Sequence, residues 1–200
     1  SKLEFDCLCI TDRPSEVGSW AHSIHVSSEN DTWWNKVHLF GPNMPDGWLV
    51  YLDLDIVILQ NFDDEILFAI DSGCSLACVE DAIRWKGEKF SSSLMVMKSH
   101  FYPDIFRNYI INKEVLRDRP GGDQVWLGPL LKDVLYLNEE FPYLKKNLKY
   151  DLAKINGRDM FFPPDIDPKV KLVDCSGHPK PHDLSGLSYI FENWHKIDPV

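Results

Sequence analysis

The sequence predicts an α/β domain with a mainly parallel sheet flanked by helices, and three observations predict it. Short apolar runs alternate along the chain with segments of helical period. One run, Trp48-Leu49-Val50-Tyr51-Leu52, is apolar at every position, as strands covered on both faces are. It stops at Asp53-Leu54-Asp55, an acidic pair at the carboxyl end of a strand, where open α/β sheets gather their ligands.

Taken in order, residues 5–10 alternate as a first strand, and Thr11-Asp12-Arg13-Pro14 closes it with turn chemistry. Residues 15–31 are polar and irregular. Residues 33–40 form an amphipathic helix stopped by Gly41-Pro42. Beyond the acidic pair, apolar character resumes over residues 56–59. A short helix near residues 63–67 follows, then strands at 75–79 and 94–97. Next come a helix over 102–111, another after Gly121-Gly122, and a strand over 134–137. Residues 143–168 have no clear period. Residues 169–173 make a last strand, 175–183 a loop rich in Gly and Pro, and 187–195 a final amphipathic helix.

Two hundred residues suit one domain, residues 1–200, with a full core. No apolar run reaches the roughly 18 residues of a membrane span. The opening Ser1-Lys2-Leu3-Glu4-Phe5-Asp6 has neither the basic region nor the apolar stretch of a signal peptide. The formal charge of −10 argues against nucleic acid and anionic membranes as partners. It still permits a polyphosphate, provided carboxylates hold a divalent cation that bridges to it. Cys7, Cys9, Cys74, Cys78 and Cys175 are odd in number and lack the paired spacing of a zinc site. They read as free thiols in a reducing compartment, so the expected location is cytoplasmic.

Asp53 and Asp55 carry the strongest chemical signal. Two acids at the end of a buried strand are costly unless something offsets their charge. A hard cation, Mn²⁺ or Mg²⁺, does so through oxygen ligands and leaves positions for diphosphate oxygens. The plainer reading is a loop start or a helix cap; the apolar residues on both sides count against it. Two enzyme classes use the pattern. Haloacid-dehalogenase-type phosphatases take the first Asp as nucleophile and the second as acid/base, but they also need a later acidic pair. Gly122-Asp123 has no acidic partner in the next several residues. Glycosyltransferases of the GT-A type use Asp-x-Asp for metal and nucleotide diphosphate.

Further segments favour the second class. They are Cys9-Ile10-Thr11-Asp12, Trp33-Trp34-Asn35-Lys36 with Leu39-Phe40, and Tyr51-Leu52-Asp53-Leu54-Asp55. Phe90-Ser91-Ser92-Ser93-Leu94-Met95-Val96-Met97, Gly122-Asp123-Gln124 and Gly177-His178-Pro179-Lys180-Pro181 follow. In this order the chain resembles bacterial and viral-type glycosyltransferases of GT-A fold, related to the glycogenin and lipopolysaccharide galactosyltransferase group. The resemblance implies that Asp53 and Asp55 bind metal and that Asp53 also approaches the nucleotide ribose. It implies that Lys36 faces the donor, that Ser91 and Ser92 border the donor sugar, and that Lys180 binds the diphosphate. Asp123 and Gln124 take the places of the sugar-contacting and anomeric-face residues, the catalytic pair. The family's third metal ligand, a His directly before the Gly, is replaced by Ser176. His178, just after the Gly, is the candidate substitute. His182 stands where the family favours Trp.

The implied reaction moves a glycosyl unit from a nucleoside diphosphate sugar, UDP-linked by preference, to an acceptor hydroxyl with retention. The acceptor is a glycan, a lipid-linked or a protein group. A catalytically inactive nucleotide-sugar- or carbohydrate-binding relative is the alternative. The resemblance also implies an opening strand and helix ahead of residues 5–10. The expectation is therefore a chain that begins inside its domain, its sheet completed by self-association or by a partner chain. Residues 143–168 are the other candidate source of the missing strand.

Overall fold

The computed structural model describes residues 2–26, 32–82, 87–118, 120–156, 159–163, 165–177, 179–184, 186, 187 and 190. At its centre lies a four-stranded sheet in the order β3-β6-β5-β7. These strands are β3 (Trp48–Leu52), β5 (Leu76–Glu80), β6 (Phe90–Lys98) and β7 (Leu135–Tyr136). β6 is buried along all of its length but the last residue. Side chains alternate across a strand, and β6 feeds two cores in this way. Met95 and Met97 join Trp34, Tyr109, Trp126 and Leu127 on one face. Leu94 and Val96 join Ala77, Val79, Ile66, Ala69 and Leu172 on the other.

Helices cover both faces. A 3₁₀ helix (Thr32–Phe40), α2 (Pro103–Arg117) and α3 (Gly122–Leu127) supply the first core, and α1 (Asp63–Asp71) the second. α1 opens on Asp63, Asp64 and Glu65, charges that suit a helix N-terminus. α2 starts with Pro103, which needs no N–H partner there, and ends with Arg117. α4 (Leu137–Glu140) follows β7 directly.

A second sheet has the order β4-β11-β8, formed by Ile56–Ile58, Leu172–Asp174 and Lys145–Asn147. It encloses a third core of Val57, Leu148, Val170, Val173, Cys175 and Leu184. Two smaller pairs complete the described strands: β1 (Leu8–Thr11) with β2 (His22–His25), parallel, and β9 (Lys154–Asn156) with β10 (Asp159–Phe161), antiparallel. No described helix is long and apolar enough to cross a membrane. All five cysteines are free.

The chain is thus mixed α/β, but its sheets are partly antiparallel. β3 and β5 both run against β6, and β4 runs against β11; β5–β7, β8–β11 and β1–β2 are parallel. An all-apolar run does not report the direction of its neighbours. That is why the pattern at residues 48–52 could not distinguish the two. β3, at the edge of the sheet, also leaves Val50 exposed where cover on both faces was expected. Several boundaries also differ from expectation. β1 starts and ends later than residues 5–10, and its partner β2 lies in the stretch read as irregular. β6 begins at Phe90, because Ser91, Ser92 and Ser93 are buried strand residues. The strand expected at 134–137 keeps only two residues before α4 begins. Residues 143–168 hold β8, a π-helical turn (Leu148–Leu152) and the β9–β10 pair. The helix expected at 187–195 lies largely outside the described residues.

Candidate functional site

β3 delivers the acidic pair. The Asp53 N–H donates to the Ser93 carbonyl across the sheet at 2.9 Å, extending the β3–β6 ladder by one bond. The Ile56 N–H then closes a turn on the Asp53 carbonyl at 3.1 Å. Leu54 is left at the tip, 91% exposed. The Asp55 carbonyl accepts from the Cys175 N–H at 2.9 Å, which ties the Gly/Pro loop to the acidic turn.

Around Asp53 the structure gathers residues from four elements. From the 3₁₀ helix, Lys36 reaches in with its side chain almost fully buried. Its Nζ lies 2.9 Å from Asp53 Oδ1 and 3.5 Å from Asp123 Oδ2. It also donates to Ser92 Oγ at 2.9 Å. Ser92 Oγ in turn donates to Asp123 Oδ2 at 2.9 Å, and the Ser92 N–H to Gln124 Oε1 at 3.4 Å. Tyr51, two residues before Asp53 on the same strand, donates its hydroxyl to Asp53 Oδ1 at 2.7 Å. Asp123 is delivered by α3, which begins after Gly121 (φ +91°) and at Gly122 (φ +62°). Both glycines occupy left-handed backbone that other residues seldom adopt.

The charges follow from this geometry. Two carboxylates flank one ammonium. Burial works against the Lys36 ammonium, but Asp123 and Asp53 outweigh it and hold its pKa above the ordinary lysine value. Asp123 has half of one partner and little water. Burial therefore raises its pKa above the usual carboxylate value, against the pull of Lys36 and Ser92. Burial, followed by the Asp53 charge, keeps the Tyr51 phenol protonated well past the normal tyrosine range.

Asp55 has its own partner. Lys180 Nζ meets Asp55 Oδ2 at 2.7 Å, across 125 residues of sequence. The Lys180 N–H is held by Asp183 Oδ2 at 3.0 Å. Of the residues singled out from sequence, Lys36, Asp53, Ser92, Asp123 and Gln124 therefore form one network, and Asp55 with Lys180 forms a second pair beside it. Ser91 lies one step away, its Oγ 2.9 Å from Ser93 Oγ. Ser176 bonds to Asn147 and, through its N–H, to Asp174. His178 lies outside the described residues. His182 is 3.6 Å from Asp183 and largely exposed.

Three residues in or beside these networks escaped the sequence reading. Tyr51 was legible, since period two puts it on the face of Asp53. Lys145 and Asp174 were not. They form a buried pair at 2.7 Å between β8 and β11, and Lys145 also donates to Ser93 Oγ at 2.8 Å. Ser93 carries the carbonyl that fixes Asp53, and Asp174 immediately precedes Cys175, which fixes Asp55. The pair thus braces both carboxylates from behind. Burial disfavours the Asp174 carboxylate, but the Lys145 charge overrides it and holds the pKa below the usual range.

Among the described residues no cluster of three or more His, Cys, Asp or Glu side chains could hold a metal. Asp53 and Asp55 supply two carboxylates. That number fits a Mg²⁺- or Mn²⁺-type ion that takes its other ligands from water and from substrate phosphates.

The fold is similar to that of a solved glycosyltransferase. The crystal structure of the glycosyltransferase GlyE from Streptococcus pneumoniae TIGR4 matches 87% of this chain with a TM-score of 0.58 at 15% sequence identity. The chain covers 48% of that structure, about half its length. At this identity the likeness is one of fold. No family model matches the sequence, and no curated protein matches it either.

Proposed function

We propose that the chain belongs to a glycosyltransferase that takes a glycosyl unit from a nucleoside diphosphate sugar, UDP-linked by preference, and passes it to an acceptor hydroxyl. The observation that carries this reading is the convergence of Lys36, Asp53, Ser92, Asp123 and Gln124 beside the Asp55–Lys180 pair. The likeness of fold to a glycosyltransferase supports it. Asp53 and Asp55 would hold a divalent cation, which when bound supplies positive charge to the diphosphate leaving group. Lys180 is the mobile element. Its ammonium rests on Asp55 and its side chain is about one-third exposed, so it can transfer to a phosphate oxygen as negative charge develops there. Lys36 orients Asp53 and Asp123 together. Asp123 and Gln124 present oxygen and amide groups to the sugar, and Gln124 is too weak a nucleophile for a covalent intermediate. With retention, as the resemblance implies, attack would come on the same face as the departing diphosphate.

The test is calorimetric titration of UDP and UDP-sugars with and without Mn²⁺. Micromolar binding that needs Mn²⁺ and is lost in Asp55→Asn supports the reading. Equal binding with and without the metal, or none at all, refutes it.

A second reading has its own observation. Asp53 and Asp55 each already hold a lysine, so neither of these two carboxylates needs a metal as its counter-charge. A nucleotide-sugar-binding relative without turnover needs nothing more. It predicts metal-independent binding and no release of UDP.

A further inference from the structure

In a 3₁₀ helix the side chains at i and i+3 stand one above the other. Lys36 points from the helix Thr32–Phe40 into the candidate site, so Trp33 lies on the same side, one turn away. Trp34, a third of a turn round, goes into the core, stacked on Tyr109 at 5.6 Å between ring centroids. Trp33 is instead 58% exposed. Leaving an indole in water forgoes a large burial gain.

The position of that indole is built in. A Cβ on Gly122 would lie 2.7 Å from Trp33 Nε1 and 3.1 Å from its Cδ1, so glycine alone lets the ring rest against this backbone. Gly122 is the residue before Asp123. An exposed aromatic ring is therefore seated on the chain one residue from an acid of the network and one helical turn from its lysine.

This combination selects a ligand. A protein surface laid over Trp33 would also have to cover the partly open polar groups of the network, Asp53 and Gln124. A pyranose ring suits both features: its C–H face matches a flat apolar ring, and its hydroxyl edge matches carboxylate and amide groups. We propose that Trp33 is a stacking platform for a hexose ring, either that of the nucleotide sugar or that of the acceptor. The proposal rests on the glycosyl-transfer reading and adds the place where the sugar sits.

The experiment titrates the full chain, with Mn²⁺ present, against UDP, UDP-glucose, UDP-galactose and lactose. It compares the parent with Trp33→Ala and Trp33→Phe. Trp33→Ala should bind UDP as the parent does and lose about tenfold in affinity for the sugar-bearing ligand the parent binds, the size of a lost aromatic contact. Trp33→Phe should keep most of that affinity. A loss confined to the UDP-sugar assigns the platform to the donor ring, and a loss confined to lactose assigns it to the acceptor. Equal affinities of parent and Trp33→Ala for every sugar-bearing ligand overturn the platform while leaving glycosyl transfer standing. So does a parallel loss of UDP binding or of melting temperature, which would make Trp33 a structural residue. A parent that binds neither UDP nor any UDP-sugar overturns the glycosyl-transfer reading, and the platform with it.

Discussion

Lys36→Met is the most telling perturbation of the network. The substitution keeps the length of the buried side chain and removes the ammonium that lies within 3.5 Å of both Asp53 and Asp123. The two carboxylates are then left facing each other with Ser92 and Tyr51 as neutral donors. Breaking a buried ion pair by deleting one partner costs about 3–5 kcal/mol, because the remaining charge is uncompensated. For a chain of this size, that is a fall in Tm of about 10 °C. The pH dependence carries the diagnosis. The folded pKa of Lys36 is raised, so its contribution is complete below the ordinary lysine value and is lost as pH climbs through the folded value. At neutral pH the deficit of the variant is therefore full. Asp123 is the carboxylate whose pKa burial already raises, and without Lys36 it takes a proton more readily still. The deficit should shrink as the pH is lowered from neutral toward the acid range, and Lys36→Met/Asp123→Asn should recover much of it at neutral pH. Urea denaturation of the parent, the single and the double variant at several pH values measures this. A loss below about 1 kcal/mol, or one that does not vary with pH, refutes the charge argument.

Three further outcomes follow. Lys180→Ala should weaken UDP binding by about 1.5–3 kcal/mol, the worth of a charge-assisted hydrogen bond, and barely move Tm because the side chain is partly solvated; calorimetry and a melting curve separate the two effects. His178→Ala should lower Mn²⁺ affinity in a metal titration if this histidine is the third metal ligand that the resemblance leads one to expect, and an unchanged affinity rejects that role. Lys145→Met should destabilise strongly at neutral pH, while Lys145→Met/Asp174→Leu should recover most of the loss, since a buried pair replaced by apolar groups is close to neutral. The depressed pKa of Asp174 means that the stabilisation is complete above the usual carboxylate value of 3.8 and fades as pH falls through the lower folded value; denaturation midpoints from pH 5 to pH 2 check this sign.

The legibility of this chain varied with the range of the interaction. Apolar runs announced their strands: those expected at 48–52, 75–79 and 94–97 all fall on strands of the central sheet, although β3, at its edge, leaves Val50 exposed. Lys36, Asp53, Ser92 and Asp123 were reachable because each sits in a short motif with a recognisable neighbour, such as Trp33-Trp34 or Gly121-Gly122. Strand direction was not legible, since burial on both faces leaves the same apolar run in either orientation. Ser91, Ser92 and Ser93 stood outside the strand expected at 94–97, although the sheet buries all three and spends two of their hydroxyls on Lys36, Lys145 and Asp123. Lys145 and Asp174 lay furthest out of reach. Each belongs to a strand of three residues, too short to carry a period, and only the pairing of β8 with β11 brings them together.

The distribution of lysines bears on how such a site would work. Asp53, Asp55 and Asp174 each hold a lysine within 3 Å, and those lysines come from three different elements. Lys36 and Lys145 are buried and make several contacts, so they are fixed parts of the scaffold. Lys180 is held by one carboxylate and by a loop, and its side chain is the most solvated of the three. Under the proposed function this asymmetry has a use. A dication bound to a nucleoside diphosphate sugar, whose diphosphate carries two negative charges, is close to neutral as a unit. It can enter the site without changing the charge balance, provided one cation moves. Lys180 is the cation placed to move, from Asp55 to the diphosphate, while Asp55 turns to the metal. Mn²⁺ and UDP should therefore bind with strong mutual enhancement in the parent, and the same titrations in Lys180→Ala should show that enhancement reduced. Independent binding of the two in the parent would mean that Lys180 stays on Asp55, and the exchange would have to be abandoned.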